Sequence, residues 1–219
     1  MRTLAILPIK SFGQAKQRLS REFDEPTRRA LAEAMFSDVL IALRRATLVS
    51  ETVVVTADNG AQRIAGGYGA TVLDDDDGGH NPAALNGIRH ALMSGADRAL
   101  LVPGDCPMLD PAQLDELLAR PVPERSALIV PDRHGTGTNA LLLTPPEAMT
   151  PAFGEGSCQR HVEHARADST EPEVVNLSSL ALDVDTPEDL AELQGALATS
   201  RGGAAHTRGM LNQLARSMA

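Results

Sequence analysis

Aromatic side chains are nearly missing from this chain: they make up 2% of residues, with no Trp and a single Tyr. Gripping single-stranded nucleic acid takes aromatic platforms and a basic groove. This scarcity, together with a net charge of −9, argues against a nucleic-acid partner. The core has to be built from Leu, Val, Ile and Ala, within an apolar content of 42%. Cysteine is scarce as well. Cys106 and Cys158 give neither a disulfide framework nor a zinc pattern, and read as reduced thiols of a cytoplasmic protein. No apolar run approaches the ~18 residues that span a bilayer, so no membrane role is expected. The N-terminal apolar stretch is short, starts at once and runs into basic residues, unlike a signal peptide. At 219 residues the chain can bury a substantial core, and it shows no internal repeat.

Lysine is the most informative shortage. Lys10 and Lys16 are the only two, every other basic residue being arginine, and both follow the first apolar strand. A compact, rotatable ammonium suits a loop that grips phosphate. Residues 1–21 carry Arg2, Lys10, Lys16, Arg18 and Arg21 and no acid. One basic island on an acidic protein fits a small anionic ligand; the plain alternative is a solvated basic turn.

Apolar runs and turn signals alternate as strands and helices. Strands are expected at 3–9, 52–56, 70–73, 98–102, 127–130, 140–144, 174–177 and 180–184. Helices are expected from Pro26, near Ala61, from an Asn81-Pro82 cap, from Asp110-Pro111, from a Ser157 cap to Ala165, and from Thr186-Pro187 to about Ala198. The first half reads as right-handed βα units on a parallel sheet; the later strands, with fewer helices between them, make the sheet mixed. Ligands on such sheets bind beyond the carboxyl ends of the strands. Residues 199–219 read as a loose C-terminal tail.

Four segments carry chemistry beyond the lysine loop. In Val102-Pro103-Gly104-Asp105-Cys106-Pro107 a strand runs into an aspartate on a stiffened turn. That is a good place to hold Mg²⁺ against phosphates, unless the aspartate only closes its own turn. Asp183 and Asp185 in Asp183-Val184-Asp185-Thr186-Pro187 would share one face of a strand and repel without a cation. Gly135-Thr136-Gly137-Thr138-Asn139 and Phe153-Gly154-Glu155-Gly156-Ser157 offer amides and hydroxyls to an anion, though each could be a plain turn. The run Asp74–Asp77 lacks ligand spacing and reads as a solvated loop; Cys106 reads as a small cavity-wall residue rather than a nucleophile; the histidines are scattered.

Together these pieces resemble the 2-phospho-L-lactate guanylyltransferase family, known as CofC or FbiD, within the MobA-like nucleotidyltransferases, over about residues 3–198. The resemblance implies an α/β, single-domain, Rossmann-like mixed sheet of the nucleotide-diphospho-sugar transferase kind over residues 1–198. It implies transfer of GMP from GTP to phosphoenolpyruvate, 2-phospho-L-lactate or 3-phospho-D-glycerate, releasing pyrophosphate, in coenzyme F(420) biosynthesis, with Mg²⁺ as cofactor. By the same resemblance Lys10, Lys16 and Asp105 are catalytic. Pro8, Lys10, Lys16 and Arg18 hold the nucleotide, with Asn86 near the nucleoside. Thr138, Gly154 and Ser157 grip the acid, and Asp105 and Asp183 hold metal; the carboxylate spacing adds Asp185 as a further metal ligand. The chain departs from the glycine-rich MobA-like loop, keeping only Gly13. The Arg- and Ala-rich composition leans toward phosphoenolpyruvate, and the apolar side of the late strands leaves room for a homodimer. The competing readings are a molybdopterin or sugar-phosphate nucleotidyltransferase and a nucleotide-binding regulator without turnover; retention of all three aspartates argues against the regulator.

Overall fold

The computed structural model describes residues 1–76, 78–200 and 202–217. Strand β1 (Thr3–Pro8) is buried along its whole length, as its unbroken apolar run requires. Alternate side chains of β1 serve opposite layers: Leu4 and Ile6 face one core, Ala5 and Leu7 the other. Next come α1 (Glu25–Arg45), β2 (Glu51–Val55), α2 (Asn59–Gly67), β3 (Thr71–Leu73), α3 (His80–Met93), β4 (Arg98–Leu101) and α4 (Pro111–Ala119). The hairpin β5 (Ser126–Pro131) and β6 (Thr138–Thr144) follows, then α5 (Ser157–Ala167), β7 (Glu171–Val174), α6 (Pro187–Thr199) and α7 (Ala205–Ser217).

Among the described residues, seven strands form one sheet in the order β3-β2-β1-β4-β6-β5-β7. Among the described residues β6 alone runs against the rest, so the sheet is mixed as expected. One layer packs α1 and α4 on the sheet through Phe36, Val39, Leu40, Leu114 and Leu117. The other packs α3 and α5 through Ala84, Ile88, Ala91 and Ala165. A third cluster joins Leu19, Leu31 and Met35 to Leu190, Leu193 and Leu197 of α6 and Leu211 of α7.

Several expectations need correction. The segment 180–184 is not a strand. After a 3₁₀ turn at Ser178–Leu180 its carbonyls are taken from the side: Asn139 Nδ2 donates to Leu180 O at 2.7 Å and to Ala181 O at 3.3 Å. The strand expected at 174–177 lies earlier, at Glu171–Val174. Nor is the chain a loose tail from residue 199, since α7 packs on α1. The buried Asp38 carboxylate of α1 accepts from His206 N at 3.0 Å and Thr207 N at 2.8 Å, capping α7 from another helix. Helix α3 begins at His80 after Gly79, and α5 at Ser157 after Gly156, so neither Asn81 nor Ser157 is the cap. Asp77, the end of the acid run, lies outside the described residues, as do Arg201, Met218 and Ala219 of the expected tail.

Candidate active site

The lysine loop leaves β1 and is tied down at two points. Asp58, which caps α2, accepts from Phe12 N at 3.0 Å and from Ser11 Oγ at 3.2 Å. Phe12 is buried against Phe36, with ring centroids 5.7 Å apart. Beyond it, Leu19 is buried in the third cluster. Between these anchors Lys16 takes the left-handed conformation (φ 56°, ψ 38°). Its side chain turns inward, 5% exposed, and Nζ lies 2.5 Å from Asp105 Oδ2 and 3.0 Å from Asp185 Oδ1. Burial alone would lower the Lys16 pKa, but the two carboxylates outweigh it and the net shift is upward. Lys10 stays exposed at the rim.

Asp105 owes its position to Gly104. A Cβ there would sit 2.5 Å from Ile9 Cδ1 and 3.2 Å from Phe36 Cδ2, so only glycine lets the turn pack this close to the lysine loop. Cys106 lies beneath it, fully buried in the core with Sγ 3.6 Å from Leu180 O, rather than in a cavity wall. Burial, then the charge of Asp105, pushes its thiol well above the usual range, which makes it inert as a nucleophile. Asp183 accepts from Asn139 Nδ2 at 3.2 Å. Its pKa is raised, first by burial and then by the like charge of Asp105, with the Asn139 hydrogen bond opposing. Asp185 is held through its backbone: its N–H, with that of Thr186, donates to Asp189, which completes a capping box on α6 and pairs with Arg133 at 2.5 Å.

The acceptor-side residues come from three other elements. Between Val130 and Pro131 the β5–β6 register shifts, so that Thr138 pairs with Pro131 while Ala140 pairs with Val130. The extra residue, Asn139, reaches the 180–183 segment as described. Thr138 Oγ1 accepts from Ser157 Oγ at 3.2 Å and lies 2.9 Å from His161 Nδ1. Gly154 has φ +126°, a conformation that a side chain rarely tolerates. The loop around it is fastened by Asn81, which accepts from Phe153 N at 2.8 Å and donates to Phe153 O at 3.2 Å, and by Arg160, which donates to Ala152 O and Glu155 O. Phe153 lies edge-on between His80 and His161, with centroids at 4.8 and 5.0 Å.

These parts surround two adjoining cavities, of about 360 and 660 Å³, which share Lys10, His80, Pro103, Asp105 and Asp185. The smaller is also lined by Pro8 and Lys16; the larger takes in Arg18, Thr138, Gly154, Ser157 and Asp183. Of the residues given a catalytic, binding or metal role in the sequence, Asn86 is in neither lining; it ties α3 to the chain after β3 by donating to Asp74 O at 3.1 Å. His80 and His161 carry no signal of their own in the sequence, Asn81 reads there as a helix cap, and Asn139 reads as part of an anion-binding turn. His161 left one trace: it shares a helical stripe with Cys158, Val162 and Ala165, the buried side of α5.

The donor set of Asp105, Asp183 and Asp185 is all oxygen, which suits a hard divalent cation. No three His, Cys, Asp or Glu side chains form a ready metal cage among the described residues. A Mg²⁺ site does not need one: that ion commonly takes one or two carboxylates and completes its shell with water and phosphate oxygens. The raised pKa of Asp183 beside Asp105 marks a carboxylate pair that a cation would relieve, so the residues fit the ion.

The fold is that of a nucleotide-diphospho-sugar transferase. A Desulfovibrio desulfuricans structure assigned to that class superposes with a TM-score of 0.77 at 18% identity, covering 97% of this chain and 95% of the other. The family described as Guanylyl transferase CofC like matches residues 3–217. A phosphoenolpyruvate guanylyltransferase of Conexibacter woesei is 54% identical over 219 residues, covering 99% of this chain and 98% of its own. A 3-phospho-D-glycerate guanylyltransferase of Colwellia psychrerythraea is 36% identical over 192 residues, covering 87% and 90%. The chain belongs to the CofC-like guanylyltransferase family and is a nucleotidyltransferase enzyme.

Proposed function

We propose that the protein transfers GMP from GTP to phosphoenolpyruvate and releases pyrophosphate, a step of deazaflavin coenzyme F(420) biosynthesis. The observation that carries this reading is the joining of two cavities at Asp105 and Asp185, one bordered by both lysines and the other by Thr138, Gly154 and Ser157. Two polyanions must be brought together, and this arrangement gives the triphosphate Lys16 and the acid Thr138 and Ser157, with Lys10 on the border of both cavities. Full-length similarity to the Conexibacter enzyme supports phosphoenolpyruvate over 3-phospho-D-glycerate.

Lys10, Lys16 and Arg18 hold the triphosphate. The acid sits against Thr138, Gly154 and Ser157, with its phosphate oxygen toward the α-phosphorus. That oxygen is already ionised at neutral pH, so no side chain need act as base. The new P–O bond forms as the bond to pyrophosphate breaks, and the lysine ammoniums offset the charge that accumulates. Asp105 and Asp183, with Asp185 beside them, would hold Mg²⁺, which when bound would neutralise phosphate charge and orient the triphosphate. Lys16 holds the aspartates together before nucleotide arrives and turns to phosphate afterwards.

Mass spectrometry of the product from GTP, Mg²⁺ and an equimolar mixture of phosphoenolpyruvate, 2-phospho-L-lactate and 3-phospho-D-glycerate tests the reading. The guanylylated enol acid should dominate. A dominant product from either other acid, or no transfer at all, refutes it.

A further inference from the structure

His161 is fully buried, and both of its ring nitrogens are engaged. The Ala152 N–H donates to Nε2 at 2.9 Å. A nitrogen that accepts carries no proton, so the neutral ring keeps its single proton on Nδ1. Nδ1 lies 2.9 Å from Thr138 Oγ1 and therefore donates to it. The Ser157 hydroxyl donates to the same oxygen at 3.2 Å. A hydroxyl oxygen has two acceptor positions, and both are now filled. What Thr138 has left is its own O–H, in a side chain that lines the larger cavity.

We propose that His161 is a positioning residue which, through its Nδ1–H, fixes the Thr138 hydroxyl as a hydrogen-bond donor to the anionic acceptor. The role of this cavity as the acid's site is taken from the function proposed above; the tautomer stands without it. An anion offers acceptors and no protons, so a hydroxyl locked as donor needs no reorientation when the acid arrives. The other tautomer would fail twice. Its Nε2–H would face the Ala152 N–H, and its bare Nδ1 would draw the Thr138 proton away from the cavity. An imidazolium would meet the same conflict at Ala152. Burial, helped by the charges of His164 and Arg160, pushes the ring's pKa down to about 4 and keeps it neutral. The same imidazole also tethers the backbone one residue before Phe153-Gly154.

Two readouts test this. In ¹⁵N-labelled full-length protein near pH 7, the long-range side-chain spectrum of His161, assigned by its loss in His161→Gln, should show Nδ1 protonated and Nε2 bare. An Nε2–H tautomer or a charged ring overturns the proposal, whether or not any variant folds. In steady-state kinetics, His161→Gln should raise the acid KM about tenfold or more and leave the GTP KM near wild type. His161→Asn, whose amide can donate from near the Nδ1 position, should recover part of that loss. Equal damage by both variants, or a matching rise in the GTP KM, would mean that His161 only props the fold. If the wild type transfers GMP to none of the acids, the proposed function fails while the tautomer is still read independently.

Discussion

The two ends of the site are built by opposite means. The nucleotide end is held by formal charge: a buried ammonium clamped between Asp105 and Asp185, with Lys10 on the border it shares with the larger cavity, where Arg18 lies. The acceptor end is held mostly by neutral hydrogen bonds among Thr138, Ser157, His161, Asn81 and the backbone of 152–154. The difference follows from what each must do. A charged clamp can exchange its partners when a triphosphate arrives. A neutral network aims donors at a small anion, and it discriminates because buried polar groups left unpaired are costly. The helix starts repeat the contrast. Asp24, Asp58, Asp110 and Thr186 cap α1, α2, α4 and α6 with their own side chains. Helices α3 and α5, which open at the acceptor cavity with His80 and Ser157, follow glycine and have no side-chain cap.

The largest expected effect breaks the charged end. Asp105→Asn keeps shape and removes one charge, and kcat should fall by a factor on the order of 10² or more in a protein that still folds, though with a lower melting temperature because the buried Lys16 loses one of its two charge partners. Wild-type rates at limiting Mg²⁺ would remove Asp105 from the ligands.

Next comes a pH test of the neutral end. Burial, then His164 and Arg160, holds the folded His161 pKa at about 4, below the ordinary 6.5. Unfolded chains therefore bind a proton between these values that folded chains refuse. The contribution of His161 is fully present above pH 6.5, declines as pH falls toward 4, and levels off below. At ~1.4 kcal/mol per pH unit the loss is on the order of 3 kcal/mol. Denaturant unfolding at pH 7 and pH 4 should show wild type losing that much relative to His161→Gln; parallel losses would contradict a neutral buried ring.

The smallest effect separates architecture from chemistry. Asp38→Ala removes the cap that docks α7 and should cost about 1 kcal/mol of stability. Limited proteolysis should quicken near residues 199–204 while kcat and both KM values hold. A loss of turnover in the folded variant would show that α7 bears on the site.

The same contrast governs how much could be read from the sequence. The charged end was legible because Lys10 and Lys16 fall in one short run and Asp105 sits on a turn that announces itself with Gly and Pro; Asp185 stood out beside Asp183, though the strand face expected to pair them is not there. The mixed sheet was legible from its apolar runs. The neutral end was only half visible. Thr138 and Ser157 stood in glycine-rich loops, but His161 and Asn81 act through contacts from other elements. Ser157 looked like a helix cap because the serine preference at that position is strong; its hydroxyl is spent on Thr138 instead. The 180–184 segment has a strand's composition and loses its ladder to Asn139, a residue re-aimed by a bulge. Helix α7 was missed because its cap comes from Asp38, far away in the chain.

The division of the site into a charged nucleotide end and a neutral acceptor end is tested most directly by one crossed measurement: the KM of GTP and of the acid for Lys16→Ala and Thr138→Val. Lys16→Ala should weaken GTP by roughly 1.5–3 kcal/mol, a ten- to hundredfold rise in its KM, with the acid little changed. Thr138→Val, which keeps shape and deletes the hydroxyl, should raise the acid KM and spare GTP. Both variants shifting both substrates alike, or the two selectivities exchanged, would contradict the account.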